Sequence, residues 1–174
     1  MARFTHEVHR KQTFILLFAY VFVSVCAFSL GALAMQSCRG QVLPLIRSLP
    51  SVRPNGAVVA ISVLFPLAVT YFAIQWNNRY ILWLLLFIKT SMFAFLSYGV
   101  FEAFPHSGWL LRVLVLFSDH LSIIACHWLW LRGLVFRDLS GNRELFTCGI
   151  LLFLVLTLDF VVICPFTAML FIHK

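Results

Sequence analysis

Apolar stretches of about 20 residues, separated by short charged loops, run through the whole 174-residue chain. A stretch of that length, wound as a helix, spans the roughly 30 Å hydrocarbon core of a bilayer. A window of about 19 residues finds five of them: about Phe14–Met35, Ala57–Trp76, Tyr80–Phe101, Gly108–Leu131 and Leu145–Ile172. The sequence therefore predicts an all-α fold, a polytopic integral membrane bundle of about five transmembrane helices with short loops. Residues 1–174 make one transmembrane domain in this reading. The fifth stretch is long for one crossing and predicts a tilt, an extension past the bilayer, or a kink near Pro165. Composition agrees: hydrophobic residues are 62%, charged residues 11% and mean hydropathy is +0.98. Soluble domains hold about 45–50% and 25% of the first two classes, so this chain has too little polar surface to stay dispersed in water.

Three charges interrupt the apolar runs. Lys89 closes Ile81-Leu82-Trp83-Leu84-Leu85-Leu86-Phe87-Ile88-Lys89, and Asp119 and Asp159 sit inside the fourth and fifth stretches. A charge at the bilayer centre costs roughly 2.5 to 3.5 kcal/mol on insertion scales unless it faces protein or water. Matching depths predict that the three face one another within the bundle. In the fourth stretch Arg112, Asp119 and Cys126 recur every seven residues, with Ser122 on the same helical face and His120 and His127 on the adjacent stripe. This polar face must point at the bundle interior or a cavity. The sequence thus names an intramembrane polar centre of Lys89, Asp119, His120 and Asp159.

Three chemistries fit that centre differently. A structural role has Lys89 pairing with Asp119 or Asp159 while serine and histidine satisfy neighbouring helices. A proton or ion path has Asp119 and His120 exchanging protons with Lys89 or Asp159. A metal site from Asp119, His120 and His127 fits poorly, because residues seven apart lie about 10.5 Å along the axis. Asp159 has only Thr157 as a polar neighbour, so it is either protonated by desolvation or paired with a base elsewhere. Catalysis has little support: there is no glycine-flanked nucleophile, HExxH motif or phosphate-cradling loop. Asp119 and Asp159 could form an intramembrane peptidase pair, but their flanks lack the glycine and asparagine expected around one. The expectation is no enzyme, and no catalytic, cofactor or metal site.

The loops carry the remaining charge. With the N-terminus inside, the inner segments hold Arg3, Arg10, Lys11, Arg79, Arg132, Arg137 and Arg143. The outer segments hold Arg39, Arg47, Arg53, Arg112 and Lys174. The inner excess predicts a multi-pass protein of the cell membrane with a cytoplasmic N-terminus. The net charge of +7 is scattered over every loop, which suits a lipid surface and not nucleic acid. Ala32-Leu33-Ala34 resembles a signal cleavage site, but the apolar run before it exceeds the usual 7–15 residues, so the first span is expected to stay. The five cysteines, Cys26, Cys38, Cys126, Cys148 and Cys164, form no CxxC pair and read as small hydrophobes.

Shorter signals concern packing. The loop Ser37–Gly56 contains Val42-Leu43-Pro44-Leu45-Ile46-Arg47, which suits a segment lying in the membrane interface. Asn77-Asn78-Arg79 is a tight hairpin that makes spans two and three antiparallel neighbours. Trp76, Tyr80 and Trp83, and then Trp109, Trp128 and Trp130, read as aromatic belts. Ala27, Gly31, Ala32 and Ala34 allow another helix to approach the first span closely. No internal repeat stands out, which weighs against a transporter of two similar halves.

Several of these features together resemble the stage II sporulation protein M family. The basic N-terminal stretch ahead of Phe22-Val23-Ser24-Val25, ending in Leu30-Gly31-Ala32, is similar to its opening helix. Leu84-Leu85-Leu86-Phe87-Ile88-Lys89, followed by Gly108-Trp109-Leu110-Leu111, resembles its central hairpin. Phe117-Ser118-Asp119-His120-Leu121-Ser122 falls where that family carries proline, glutamine and asparagine, and Thr90 stands where it carries glycine. The resemblance covers most of the chain. It implies a membrane scaffold that recruits or controls cell-wall-degrading partners, peptidoglycan hydrolases among them, during sporulation. It carries over Lys89, Asp119 and His120 as structural or coupling residues. The alternative is a small membrane transporter, or the substrate-binding membrane subunit of one. The expected partners are other membrane or envelope proteins and the lipid bilayer.

Overall fold

The computed structural model describes residues 2–48, 65–66, 68–73, 76, 78–106, 109, 112–113, 116–136 and 150, and the regular structure among them is all helical. Helix α1 is Ala2–Ser37, α2 is Arg39–Ser48, α3 is Arg79–Ala103 and α4 is Phe117–Leu131. A π-helical turn, Arg132–Phe136, continues α4. Among the described residues two helical segments are long and apolar enough to cross a membrane, Lys11–Ser37 within α1 and Arg79–Ala103.

Local chemistry explains the ends. No proline interrupts α1, so its helix runs on to Ser37. At Cys38 the chain turns, its N–H still bonded to Ala34 O at 3.1 Å, and Val42 N bonds back to Cys38 O at 3.1 Å to begin α2. Asn78 caps α3: its backbone is extended, and its Oδ1 accepts from Ile81 N at 3.3 Å. That helix stops ahead of Pro105, whose ring disfavours a helical conformation in the residue before it.

Helices α1 and α3 pack in parallel. Tyr20 faces Trp83, Gly31 lies on the Ser91 carbonyl and Ala94, and Gln36 donates to Tyr98 Oη at 3.0 Å. The contacts advance together along both helices. Gly31 is required there, because a Cβ would meet Ser91 O and come within 3.0 Å of Ala94 Cβ. Helix α4 runs the opposite way along α3: His127 meets Thr90, His120 meets Phe93, and Leu116 joins Val100 and Ala103. One apolar core gathers Tyr20, Leu82, Leu86, Cys126, Leu129 and Trp130 at one end of this three-helix unit. The other gathers Met35, Leu43, Ile46, Val100, Ala103 and Leu116, so α2 closes the opposite end.

Several expectations change. The first span, expected at about Phe14–Met35, falls within the apolar segment Lys11–Ser37 of a longer helix that begins at Ala2. The fourth stretch is not one helix from Gly108 to Leu131, because Leu116 forms a turn at the N-terminus of α4 and the helical path extends past Leu131 to Phe136. Trp130 is not a belt residue: it is wholly buried and donates Nε1–H to Thr70 Oγ1 at 2.9 Å. An indole N–H with a buried hydroxyl partner loses nothing by leaving the interface. Trp76, Tyr80, Trp109 and Trp128 are exposed. The segment expected at the interface is α2, with Leu43 and Ile46 buried against the bundle and Leu45 outward. Most of the second stretch and all but Ile150 of the fifth lie outside the described residues, as do Asp159, Cys148 and Cys164.

Candidate functional site

The polar residues of α3 and α4 meet at the middle of the bundle, in two groups on either side of the Lys89–Thr90 peptide. In the first, Lys89 Nζ lies 3.9 Å from Asp119 Oδ1, with both side chains mostly covered at 14% and 30% exposure. That separation is an ion pair beyond hydrogen-bonding distance. Asp119 occupies the first turn of α4, where the unpaired N–H groups of the helix terminus favour an anion. His120 stands beside it. Its Nδ1 is 2.7 Å from Leu116 O, and since a carbonyl only accepts, Nδ1 carries the proton. Its ring meets Phe93 edge-on at 5.0 Å.

The second group centres on His127. Tyr20 Oη lies 2.6 Å from His127 Nδ1 and donates to His127 O at 3.1 Å, while Thr90 Oγ1 is 3.0 Å from Nε2. The proton count fixes the pattern. A phenol that gives its one hydrogen to the carbonyl must accept from Nδ1–H, and Nε2 then accepts from the Thr90 hydroxyl. A neutral imidazole is satisfied on both nitrogens. Three helices are thereby tied at one ring, which Tyr20 and Trp130 flank at 5.8 Å and 5.6 Å. Trp130 leads to a further buried bond, because Thr70 Oγ1, which accepts from it, donates to Pro66 O at 2.7 Å.

Helix spacing fixes which residues reach the centre. Leu82, Leu86, Thr90 and Ala94 recur every four residues and form the buried stripe of α3. On α4, Ser122, Cys126 and Leu129 are buried, while Asp119 and His120 are partly covered. Of the residues named from sequence, the structure brings Lys89, Asp119 and His120 to one region, and Asp159 lies outside the described residues. Sequence reasoning passed over Tyr20 and Thr90. Their signal was present: Tyr20 is a phenol in a run where Phe14, Phe18, Phe22 and Phe28 carry none, and Thr90 follows the intramembrane lysine.

Beside His127 an open groove of about 520 Å³ runs between α1, α3 and α4, lined by Ser24, Val25, Phe28, Ser29, Thr90, Phe93, Ile123, Ile124 and His127. A second cavity, about 560 Å³, lies at the Tyr20–Leu82 end of the bundle against Leu16, Trp76, Asn78, Arg79, Tyr80 and Trp83. Among the described residues no three His, Cys, Asp or Glu side chains come together as metal ligands. The hydrogen bonds of His127 can hold three helices in register, and Asp119 can neutralise the covered charge of Lys89. Comparison with protein-family models, with curated proteins and with solved structures finds no match.

Proposed function

We propose that this chain is a multi-pass helical component of the cell membrane that serves as a scaffold for a membrane complex. The observation that carries the reading is the inward polar centre of α3 and α4 beneath an apolar exterior. His127 has partners on both nitrogens, Lys89 faces Asp119, and the outer face of α1 exposes Phe14, Phe18, Phe22 and Val25. Outward phenylalanines at that density suit lipid, where the helix–helix attraction must come from close packing and interhelical hydrogen bonds. Parallel α1 and α3 fit five crossings with a cytoplasmic N-terminus, since a returning second span between them lets both run outward. Interfacial α2 and the Arg39–Glu102 pair at 2.8 Å then lie at the outer surface.

In this reading the chain acts as the resemblance to stage II sporulation protein M implies, recruiting or controlling peptidoglycan hydrolases through its membrane domain. A transporter would need its charged centre to line a passage. Neither of the two cavities described above is lined by Lys89, Asp119 or His120, which favours the scaffold. The test is a pull-down of the solubilised chain from its native membrane, wild type against Lys89→Ala. Recovery of a cell-wall hydrolase or another envelope protein, reduced in the variant, is the expected outcome. Recovery of an ATPase pair, or of a bound small molecule alone, would move the assignment to transport.

A further inference from the structure

We propose that the groove between α1, α3 and α4 is a discrete binding site for one phospholipid acyl chain, distinct from the general lipid coat. The inference rests on the membrane reading above. Ser24 is the middle residue of the 27-residue apolar span Lys11–Ser37, and Ser29 lies about 7.5 Å further along by the helical rise. The groove therefore sits at mid-depth, where acyl chains end. Its walls are Val25, Phe28, Phe93, Ile123 and Ile124, and Val25, Phe28 and Ile124 are open to the surroundings at 58%, 48% and 64% exposure.

The polar atoms in the lining make little demand on an occupant. Ser24 Oγ donates to Tyr20 O at 2.9 Å, Thr90 bonds His127 Nε2, and His127 Nδ1 bonds Tyr20. Ser29 stands at the exposed rim. A water needs two to four polar partners to remain in such a space, and these are already engaged. An empty groove would forfeit the dispersion contacts of every wall atom. Fluid hydrocarbon is the solvent at this depth, so a flexible chain fills the concavity. Contact on three sides by α1, α3 and α4 gives it more protein neighbours than a chain on the convex Phe14–Phe18–Phe22 ridge. Volume and lining match the usual ligand cavity, which is roughly 300–1,000 Å³ and mostly apolar.

The experiment uses the full chain in vesicles of phosphatidylcholine and phosphatidylglycerol, with a trace of phosphatidylcholine carrying a diazirine at the acyl terminus. After irradiation, mass spectrometry locates the label. The expected result is several-fold more label on Val25–Ser29, Phe93 and Ile123–Ile124 than on Val21, Phe22 and Met92, which are exposed near the same depth outside the groove. Ile124→Trp and Ser29→Phe, two fillings from different helices at exposed positions, should each cut groove labelling several-fold and leave labelling at Val21 and Phe22 unchanged. Even labelling over every exposed apolar residue, or labelling indifferent to both fillings, overturns the proposal. So does a disulfide between two copies of a variant whose one cysteine is introduced by Ser29→Cys at the rim of the groove. Failure of the membrane reading would look different: alkaline carbonate would strip the chain from the vesicles, and Val21 and Phe22 would carry no label.

Discussion

Tyr20, Thr90 and His127 show how a single hydroxyl decides which polar atoms a helix bundle can bury. Tyr20→Phe keeps the ring against Trp83 and removes both bonds of the phenol, leaving His127 Nδ1 without its partner. Interhelical hydrogen bonds in membranes average about 0.6 kcal/mol with a maximum near 1.7, and a stranded polar atom adds to that. Tyr20→Phe should therefore destabilise by about 1–2 kcal/mol, measured by unfolding in detergent micelles; an unchanged midpoint would show that the phenol carries no load. The Lys89–Asp119 pair gives an ordering. Removing one partner of a covered ion pair leaves a charge uncompensated, whereas replacing both leaves none. Lys89→Met and Asp119→Asn should each lower the unfolding midpoint more than the double variant does. If the two single losses simply add, the residues are not coupled. The sequence identified Lys89, Asp119 and His120 as inward because charge in hydrocarbon is costly. It did not single out Tyr20 or Thr90, because a hydroxyl is cheap enough at many depths and its importance lies in the partner across the interface.

Between elements, the contact of α1 with α3 turns on glycine. Gly31 lets the α1 backbone rest on the Ser91 carbonyl, a rigid group that cannot swing aside as a side-chain end does. Gly31→Ala should destabilise by about 1–3 kcal/mol through overpacking, read as a lower unfolding midpoint or as loss of a cysteine cross-link between the two helices. Gly40→Ala is the control. Nothing lies within 4 Å of a Cβ at that position, so the same change there should leave the α1–α3 contact intact. A Gly31→Ala protein as stable as wild type would mean that α1 lies further from Ser91. The small residues Ala27, Gly31, Ala32 and Ala34 were legible as a close-approach surface, and Ala27 and Gly31 are indeed buried while Ala34 points outward. Which helix approaches them was not legible, because a stripe of small residues specifies nearness and not identity. The end of α2 shows the same division. Leu43 and Ile46 were apolar enough to embed, but only contact with Met35 and Gly99 decides that they turn inward and Leu45 outward.

For the whole molecule, the proposed membrane topology has parallel α1 and α3 run one way and antiparallel α4 return. With the N-terminus inside, Cys38, exposed at the α1–α2 corner, lies on the outer surface. In a variant keeping only Cys38, a membrane-impermeant maleimide added to intact cells should label it, and labelling only after lysis would reverse the orientation. What the sequence by itself determined was the helical class, the apolar faces and the inward pull on Lys89 and Asp119. Each follows from hydrogen-bond closure within a helix and from the cost of moving charge into hydrocarbon, which are properties of a residue and its immediate neighbours. Only the tertiary structure decided that Trp130 turns inward to Thr70, that the helical path breaks at Leu116, and that His127 joins α1, α3 and α4 through Tyr20 and Thr90. Those outcomes depend on groups tens of residues apart arriving at the same depth, and the relative rotation and register of helices are set by packing between them.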